Sequence, residues 1–277
     1  MIDLLRLCRL YYAVPMSLIL TLTIWYALGD AITDQWRSTW YATLALAMVI
    51  SGAYVLNDVC DRRVDRVNAP HRPVSAGRMR PVIAVIWAVG LTLGGLGIAT
   101  LCRWRFQVLL VFVAAVVTLY NFSSKRLGVF KQLIVSALMI SFYPLAFAQA
   151  GGVTSSRTAT LYIFPIWLFL TSFGYETLKD LRDIQGDQSA ATGPTWVQRH
   201  PDRALAIART TVVVGAMFLL GPGFCGCGPV YLSIVPGAML LAVWSAFLTR
   251  RRAMLAIYGE CVVVGIAATA DIMVLGS

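Results

Sequence analysis

Long apolar runs broken by short polar ones set the pattern of this chain. A helix needs about 20 apolar residues to cross hydrocarbon. Nine segments meet that length, near 10–28, 41–57, 82–102, 105–122, 129–150, 160–179, 204–221, 229–249 and 255–275. The narrowest break is 102–105, and the seventh segment carries Arg209 close to its start. The first run is longer than a typical signal core and is followed by further spans, so it reads as a span, not a cleaved leader. The pattern predicts an all-α membrane protein with nine transmembrane helices in a single domain over 1–277.

Composition excludes the soluble classes. Of 277 residues, 58% are hydrophobic and 13% charged, with a mean hydropathy of +0.73, whereas soluble domains are about half apolar and about a quarter charged. Lipid covers such helices, and each must satisfy its own backbone groups. The net charge of +10 would suit nucleic acid, but no aromatic-basic platform accompanies it. Nine spans instead put eighteen of the 23 Lys and Arg on one side, against Arg37, Arg103, Arg105 and Arg157 on the other. By the positive-inside bias, the N-terminus is expected in the cytoplasm and the protein in the cell inner membrane. The six cysteines are scattered, and Cys225-Gly226-Cys227 offers two ligands, too few for a metal site. Gly90, Gly94, Gly95 and Gly97 would let the third helix pack closely on a neighbour.

Two acidic clusters then stand out where apolar segments end: Asn57-Asp58-Val59-Cys60-Asp61-Arg62-Arg63-Val64-Asp65 and Lys179-Asp180-Leu181-Arg182-Asp183-Ile184-Gln185-Gly186-Asp187. If the second helix runs on, Asn57, Asp61 and Asp65 recur at every fourth residue. Glu176, Asp180, Asp183 and Asp187 likewise share one helical face. The clusters follow helices two and six, which predicts two four-helix halves plus a ninth helix, with a central cavity open to the cytoplasmic side. The repeat rests on spacing alone.

Facing carboxylates repel by about 3 kcal/mol per pair, at about 6 Å and an effective dielectric of about 20. Divalent cations relieve this, and oxygen-only donors favour magnesium bridging carboxylates to substrate phosphates. His71 and His200 lie far apart and make no zinc pattern. Arg72, in the Pro-punctuated loop after the first cluster, and Lys125 and Arg126, after the fourth helix, can compensate phosphate charge. The competing reading is a pair of salt-bridged helix ends, with Arg62, Arg63, Arg66 and Arg182 interleaved among the acids. Two such clusters at repeat-related positions on one side favour the metal reading.

These motifs resemble those of the UbiA superfamily of intramembrane prenyltransferases. Asn57-Asp58-x-x-Asp61-x-x-x-Asp65 is similar to its first aspartate motif and Asp180-x-x-Asp183-x-x-x-Asp187 to its second. Asn68-x-Pro70-x-Arg72-Pro73-Val74-x-x-Gly77 and Tyr120 to Lys125 match in order between them. The form of the second motif is closest to the branch holding digeranylgeranylglyceryl phosphate synthases and homogentisate and chlorophyll prenyltransferases. Two positions depart from that branch: Lys131-Gln132 stands where Gly-Asn is usual, and Arg6-Leu7-Cys8-Arg9 where Arg-Pro-x-Asn is usual. The acceptor, an aromatic ring, a glycerol phosphate or a sugar phosphate, stays open.

The resemblance implies a Mg2+-dependent prenyltransferase. Two Mg2+ ions would be held by Asp58, Asp61, Asp65, Asp180, Asp183 and Asp187. Asn57, Arg72, Lys125, Arg126 and Lys179 would bind the isoprenyl diphosphate, and Tyr54, Tyr120 and Tyr175 are candidates to shield the allylic cation or line the acceptor pocket. The partners implied are that diphosphate, a small or lipid acceptor and the bilayer, with no nucleic acid and no protein partner. A membrane terpene cyclase would ionise the same diphosphate. A divalent-cation transporter would put carboxylates within the membrane or at both mouths, and here both clusters fall on one side. A CDP-alcohol phosphotransferase would pack its aspartates into one segment.

Overall fold

The computed structural model describes residues 2–123, 127–184 and 195–275, and among them there are helices and no strands. In chain order these are α1 (Ile2–Leu7), α2 (Leu10–Leu28), α3 (Trp36–Cys60), α4 (Arg62–Asn68), α5 (Pro81–Ala99), α6 (Trp104–Ser123), α7 (Phe130–Met139), α8 (Phe142–Ala150), α9 (Thr160–Arg182), α10 (Trp196–Arg199), α11 (Pro201–Met217), α12 (Pro222–Cys225), α13 (Pro229–Ser245) and α14 (Arg250–Leu275). Among the described residues, seven stretches are long and apolar enough to cross a membrane. One of them, Leu10–Cys60, holds both α2 and α3, and α13 is a shorter apolar helix beside the seven.

Two sequence expectations change. The segment 129–150 is not one helix. It breaks between Met139 and Phe142, because Pro144 has no N–H to give the carbonyl four residues back and its ring crowds that turn. Nor does the second helix run through the first acidic motif: α3 stops at Cys60, and Asp61, at φ −92° and ψ 5°, turns the chain into α4. Asn57 and Asp58 therefore belong to one helix and Asp65 to another, so the four do not form a continuous stripe.

Two helix crossings repeat at residue level. α3 packs on α5, and α9 packs on α11. A Cβ on Gly52 would lie 2.5 Å from Thr92 Oγ1 and 2.9 Å from the Ala88 carbonyl oxygen. A Cβ on Gly174 would lie 2.5 Å from Val212 Cγ2 and 2.6 Å from the Ala208 carbonyl oxygen. The return contacts match too: Gly95 closes on the Ala45 carbonyl and Gly215 on that of Trp167. Each crossing thus brings backbones together at a small residue, the usual way apolar helices associate without a hydrophobic drive. Gly52 and Gly174 both stand six residues ahead of an aspartate, Asp58 and Asp180, so each crossing fixes the height of one motif. Gly94 also meets Met48, whereas Gly90 and Gly97 face open space.

The ends of the bundle differ in chemistry. At one end lie both acidic motifs. At the other, Asp271 of α14 is fully buried, pairs with Arg157, and accepts from the Gly228 and Tyr231 backbone N–H groups at 2.9 Å each. Its charge thereby caps the N-terminus of α13. Between the ends, Glu260 is fully buried and accepts from the Trp167 indole at 2.7 Å.

Candidate active site

The site is assembled from helix ends, since charge is cheapest where a span leaves hydrocarbon. Asp58, in the last turn of α3, is 2% exposed. It pairs with Arg9 and, at 3.4 Å, with Arg72. Arg9 precedes α2 in a left-handed backbone conformation, φ 45° and ψ 50°, and no other described non-glycine residue has positive φ. That strained turn aims its guanidinium at Asp58 and over the Tyr54 ring, 4.9 Å from its centroid. Arg72 also pairs with Asp65 at 2.5 Å, so one guanidinium touches two carboxylates. Asn57 donates to Asp61 at 3.0 Å and to Asn121 of α6 at 3.5 Å. Asn121 is held in turn by the Ala53 carbonyl at 3.0 Å.

Burial pushes the Asp65 carboxyl up to about 6. Arg72 pulls against that rise, and Asp58 and Asp61 add to it.

In the second motif, Asp180 receives Lys131 Nζ at 2.5 Å on one oxygen and Gln132 Nε2 at 2.7 Å on the other. Asp183 holds Arg182 through both oxygens, at 2.6 and 2.8 Å. Lys179 turns to Glu176 at 2.9 Å. The motifs meet: Asn68, at the end of α4, donates to the Asp183 carbonyl at 3.0 Å, and Arg250 of α14 reaches the Leu181 carbonyl at 2.8 Å. Glu176 also lies within electrostatic reach of Tyr54 and Tyr120 across the bundle.

Behind the charges stands a tyrosine cluster drawn from four helices. Tyr12 lies 6.1 Å, centroid to centroid, from Tyr54 and from Tyr258, and Tyr175 is close beside it. Farther in, an apolar cavity of about 70 Å³ is lined by Tyr26, Tyr143, Phe164, Trp167 and Cys261, among others. A second recess, about 140 Å³, lies between α3, α5 and α6 and includes no carboxylate.

Of the residues expected from sequence, Asn57, Asp58, Asp61, Asp65, Arg72, Asp180 and Asp183 gather at one end, with Lys179 and the three tyrosines close behind. Lys125, Arg126 and Asp187 lie outside the described residues. Arg9, Lys131 and Gln132 enter the sequence reading only as departures from the family pattern, Asn68 and Asn121 only within the intervening motifs, and Tyr12 and Tyr258 not at all. All donors on the two motifs are oxygens, which fits a hard divalent cation. Among the described residues no three carboxylate, His or Cys groups converge as a cage, and Arg9, Arg72, Lys131 and Arg182 are paired with the carboxylates.

Comparison with known proteins gives the arrangement its relatives. A family model described as the UbiA prenyltransferase family matches residues 17–257. A digeranylgeranylglyceryl phosphate synthase of Sulfolobus acidocaldarius is 28% identical over 252 residues, covering 83% of this chain and 86% of that one. A UbiA homolog from Archaeoglobus fulgidus, solved bound to GPP and Mg2+, superposes with a TM-score of 0.72 at 13% identity over 98% of this chain and 99% of its own. The apo structure of a UbiA homolog from Aeropyrum pernix K1 gives 0.72 at 19% identity, over 95% and 96%.

Proposed function

The chain belongs to the UbiA prenyltransferase family, and we propose that it moves an isoprenyl group from its diphosphate to a membrane-borne acceptor at the end of the bundle where the two acidic motifs meet. One observation carries this reading. Asn68 bonds the Asp183 backbone at 3.0 Å, so motifs over a hundred residues apart in sequence meet, with Arg9, Arg72, Lys131 and Lys179 on their acids. The Archaeoglobus fulgidus homolog was solved with GPP and Mg2+, which supports an isoprenyl diphosphate as donor and magnesium as the ion here. The name of the Sulfolobus relative supports a product of the glyceryl phosphate class. The reading takes nine crossings, counting α2 and α3 separately, α7 with α8 as one, and α13 as short, and puts the site on the cytoplasmic side of the inner membrane.

Asp58, Asp61, Asp65, Asp180, Asp183 and Asp187 are the proposed metal-binding set. A divalent ion held there would supply positive charge against the departing diphosphate and so favour ionisation of the allylic C–O bond. The chain's own residues do the rest. Arg72, released from Asp58 and Asp65, pairs with diphosphate oxygens, and Lys125, Arg126, Lys179 and Asn57 complete that anion site. Tyr54, whose face already carries the Arg9 guanidinium, is suited to hold an allylic cation, with Tyr120 and Tyr175 beside it. Apolar side chains between α2, α9 and α14 receive the tail and keep water away, which favours capture by acceptor over hydrolysis.

Mass spectrometry of products formed from a panel of isoprenyl diphosphates and glycerol phosphate or aromatic acceptors tests this directly. Asp61→Ala and Asp183→Ala should each lower turnover by about 100-fold or more while the bundle stays folded. A full-rate Asp61→Ala enzyme in magnesium would sink the assignment. A hydrocarbon product formed without acceptor would turn it toward cyclisation.

A further inference from the structure

Glu176 is a buried carboxylate at the motif end, 7% exposed, that the proposed metal-binding set leaves out. The repeated crossing places it. Gly52 and Gly174 open equivalent stretches, Gly52-x-Tyr54-x-Leu56-x-Asp58 and Gly174-x-Glu176-x-Leu178-x-Asp180, so Glu176 holds on α9 the position that Tyr54 holds on α3. Each stands one turn before its aspartate, about 6 Å nearer the middle of the bundle. The two side chains lie within electrostatic reach of each other across the bundle, and Tyr120 of α6 is within reach of Glu176 as well. Lys179 donates to both Glu176 oxygens, at 3.1 and 2.9 Å.

At that height prenyl transfer leaves a proton to be placed. A diphosphate held at the aspartates puts its allylic carbon farther in, beside the Tyr54 face. An alcohol that captures the cation there keeps its hydroxyl proton on the newly bonded oxygen until a base removes it. Apolar walls withhold the water that would otherwise do so. A carboxylate buried in this layer of a membrane span is costly, and such a residue marks function by default.

We propose that Glu176 is the general base of the transfer, taking the hydroxyl proton of an acceptor of the glycerol phosphate class. This rests on the transfer reading above. The allylic C–O bond breaks and its electron pair leaves on the diphosphate. A lone pair of the acceptor oxygen makes the new C–O bond. The O–H proton passes to a Glu176 carboxylate oxygen, and the O–H electron pair stays on the ether product. Lys179 times the step, because it belongs to the proposed anion site and an ammonium has three donors. A diphosphate that draws Lys179 outward leaves Glu176 without its counter-ion, and a carboxylate so placed binds a proton more readily. When product and diphosphate depart, the pair re-forms and the proton leaves to water.

The test separates capture from ionisation. The full chain in lipid nanodiscs receives geranylgeranyl diphosphate, Mg2+ and geranylgeranylglyceryl phosphate, and ether product and released diphosphate are both measured. Glu176→Gln keeps the shape and an acceptor for Lys179 but takes no proton. It should lower ether formation about 100-fold while diphosphate release falls far less, so that isoprenyl alcohol from capture by water becomes the main product. It should bind an uncleavable isoprenyl thiolodiphosphate as wild type does. Glu176→Asp, which keeps the carboxylate, should show the same split in smaller measure, and it decides the matter by itself if the amide variant unfolds early. Wild-type ether formation in Glu176→Gln overturns the proposal. So does an equal loss of ether and of diphosphate release, or an analogue affinity reduced in step with turnover, since the residue then serves ionisation or binding. Wild-type protein that releases diphosphate but forms no ether from this acceptor overturns it and leaves the donor reading standing. Wild-type protein that does neither removes the transfer reading too.

Discussion

Asp65 shows how burial and charge compete at one residue. Its carboxyl titrates near 6 because desolvation outweighs the Arg72 guanidinium. Below that pH the protein holds a proton there in the absence of metal, and a metal must displace it. The magnesium concentration for half-maximal turnover should therefore rise as pH falls through about 6, approaching about tenfold per pH unit, which metal titrations between pH 5 and 8 would read. A flat profile would mean that Asp65 is not a ligand. Asp271 is the opposite case, a carboxylate inside the bundle whose partners are all supplied. Replacing it with Ala leaves Arg157 buried without its anion and two N–H groups of α13 unmet, a loss of about 3–5 kcal/mol. Thermal unfolding in detergent should fall sharply, though the residue lies at the end away from the acidic motifs.

At the scale of elements, the two glycine crossings fix where the motifs sit. A methyl at Gly52 or Gly174 meets backbone carbonyls at 2.9 or 2.6 Å, and a carbonyl cannot rotate away as a side chain can. Gly52→Ala should separate α3 from α5 and Gly174→Ala should separate α9 from α11, each costing about 1–3 kcal/mol. Each should also lower turnover, because Asp58 or Asp180 rides on the displaced helix. Gly90→Ala, facing open space, is the control and should leave both measurements unchanged. The shared pattern of Gly, then Leu four residues on and Asp six residues on, at Gly52-Leu56-Asp58 and Gly174-Leu178-Asp180, is the signal in the chain that could have revealed the repeat. The break at Asp61 left a weaker trace. An arginine-rich, acidic turn is compatible with helix, and in the structure the chain bends there, with Arg72 reaching back past Asp61 to Asp58.

Over the whole molecule, different contacts fix the two ends: Asn68 ties α4 to the Asp183 backbone at the motif end, and Asp271 ties α14 to Arg157 and to the start of α13 at the other. Asn68→Ala should cost only about 1 kcal/mol of stability yet weaken diphosphate binding, since it frees one motif to drift from the other; equal affinity in the variant would show that the halves keep their register without it. What the chain determined by itself was whatever depends on solvation along one dimension. Apolar runs of membrane length dictate helices, because unpaired backbone groups cannot survive in lipid. The spacing of aspartates at span ends dictates that the acids gather where charge is tolerated. What only the tertiary structure decided was which cation meets which acid. Arg9 to Asp58, Lys131 and Gln132 to Asp180, and the joining of Tyr12, Tyr54, Tyr175 and Tyr258 all link residues from separate helices. Such pairings depend on helix rotation and crossing height, set by close contacts such as those at Gly52 and Gly174, and no local pattern in the sequence encodes those angles.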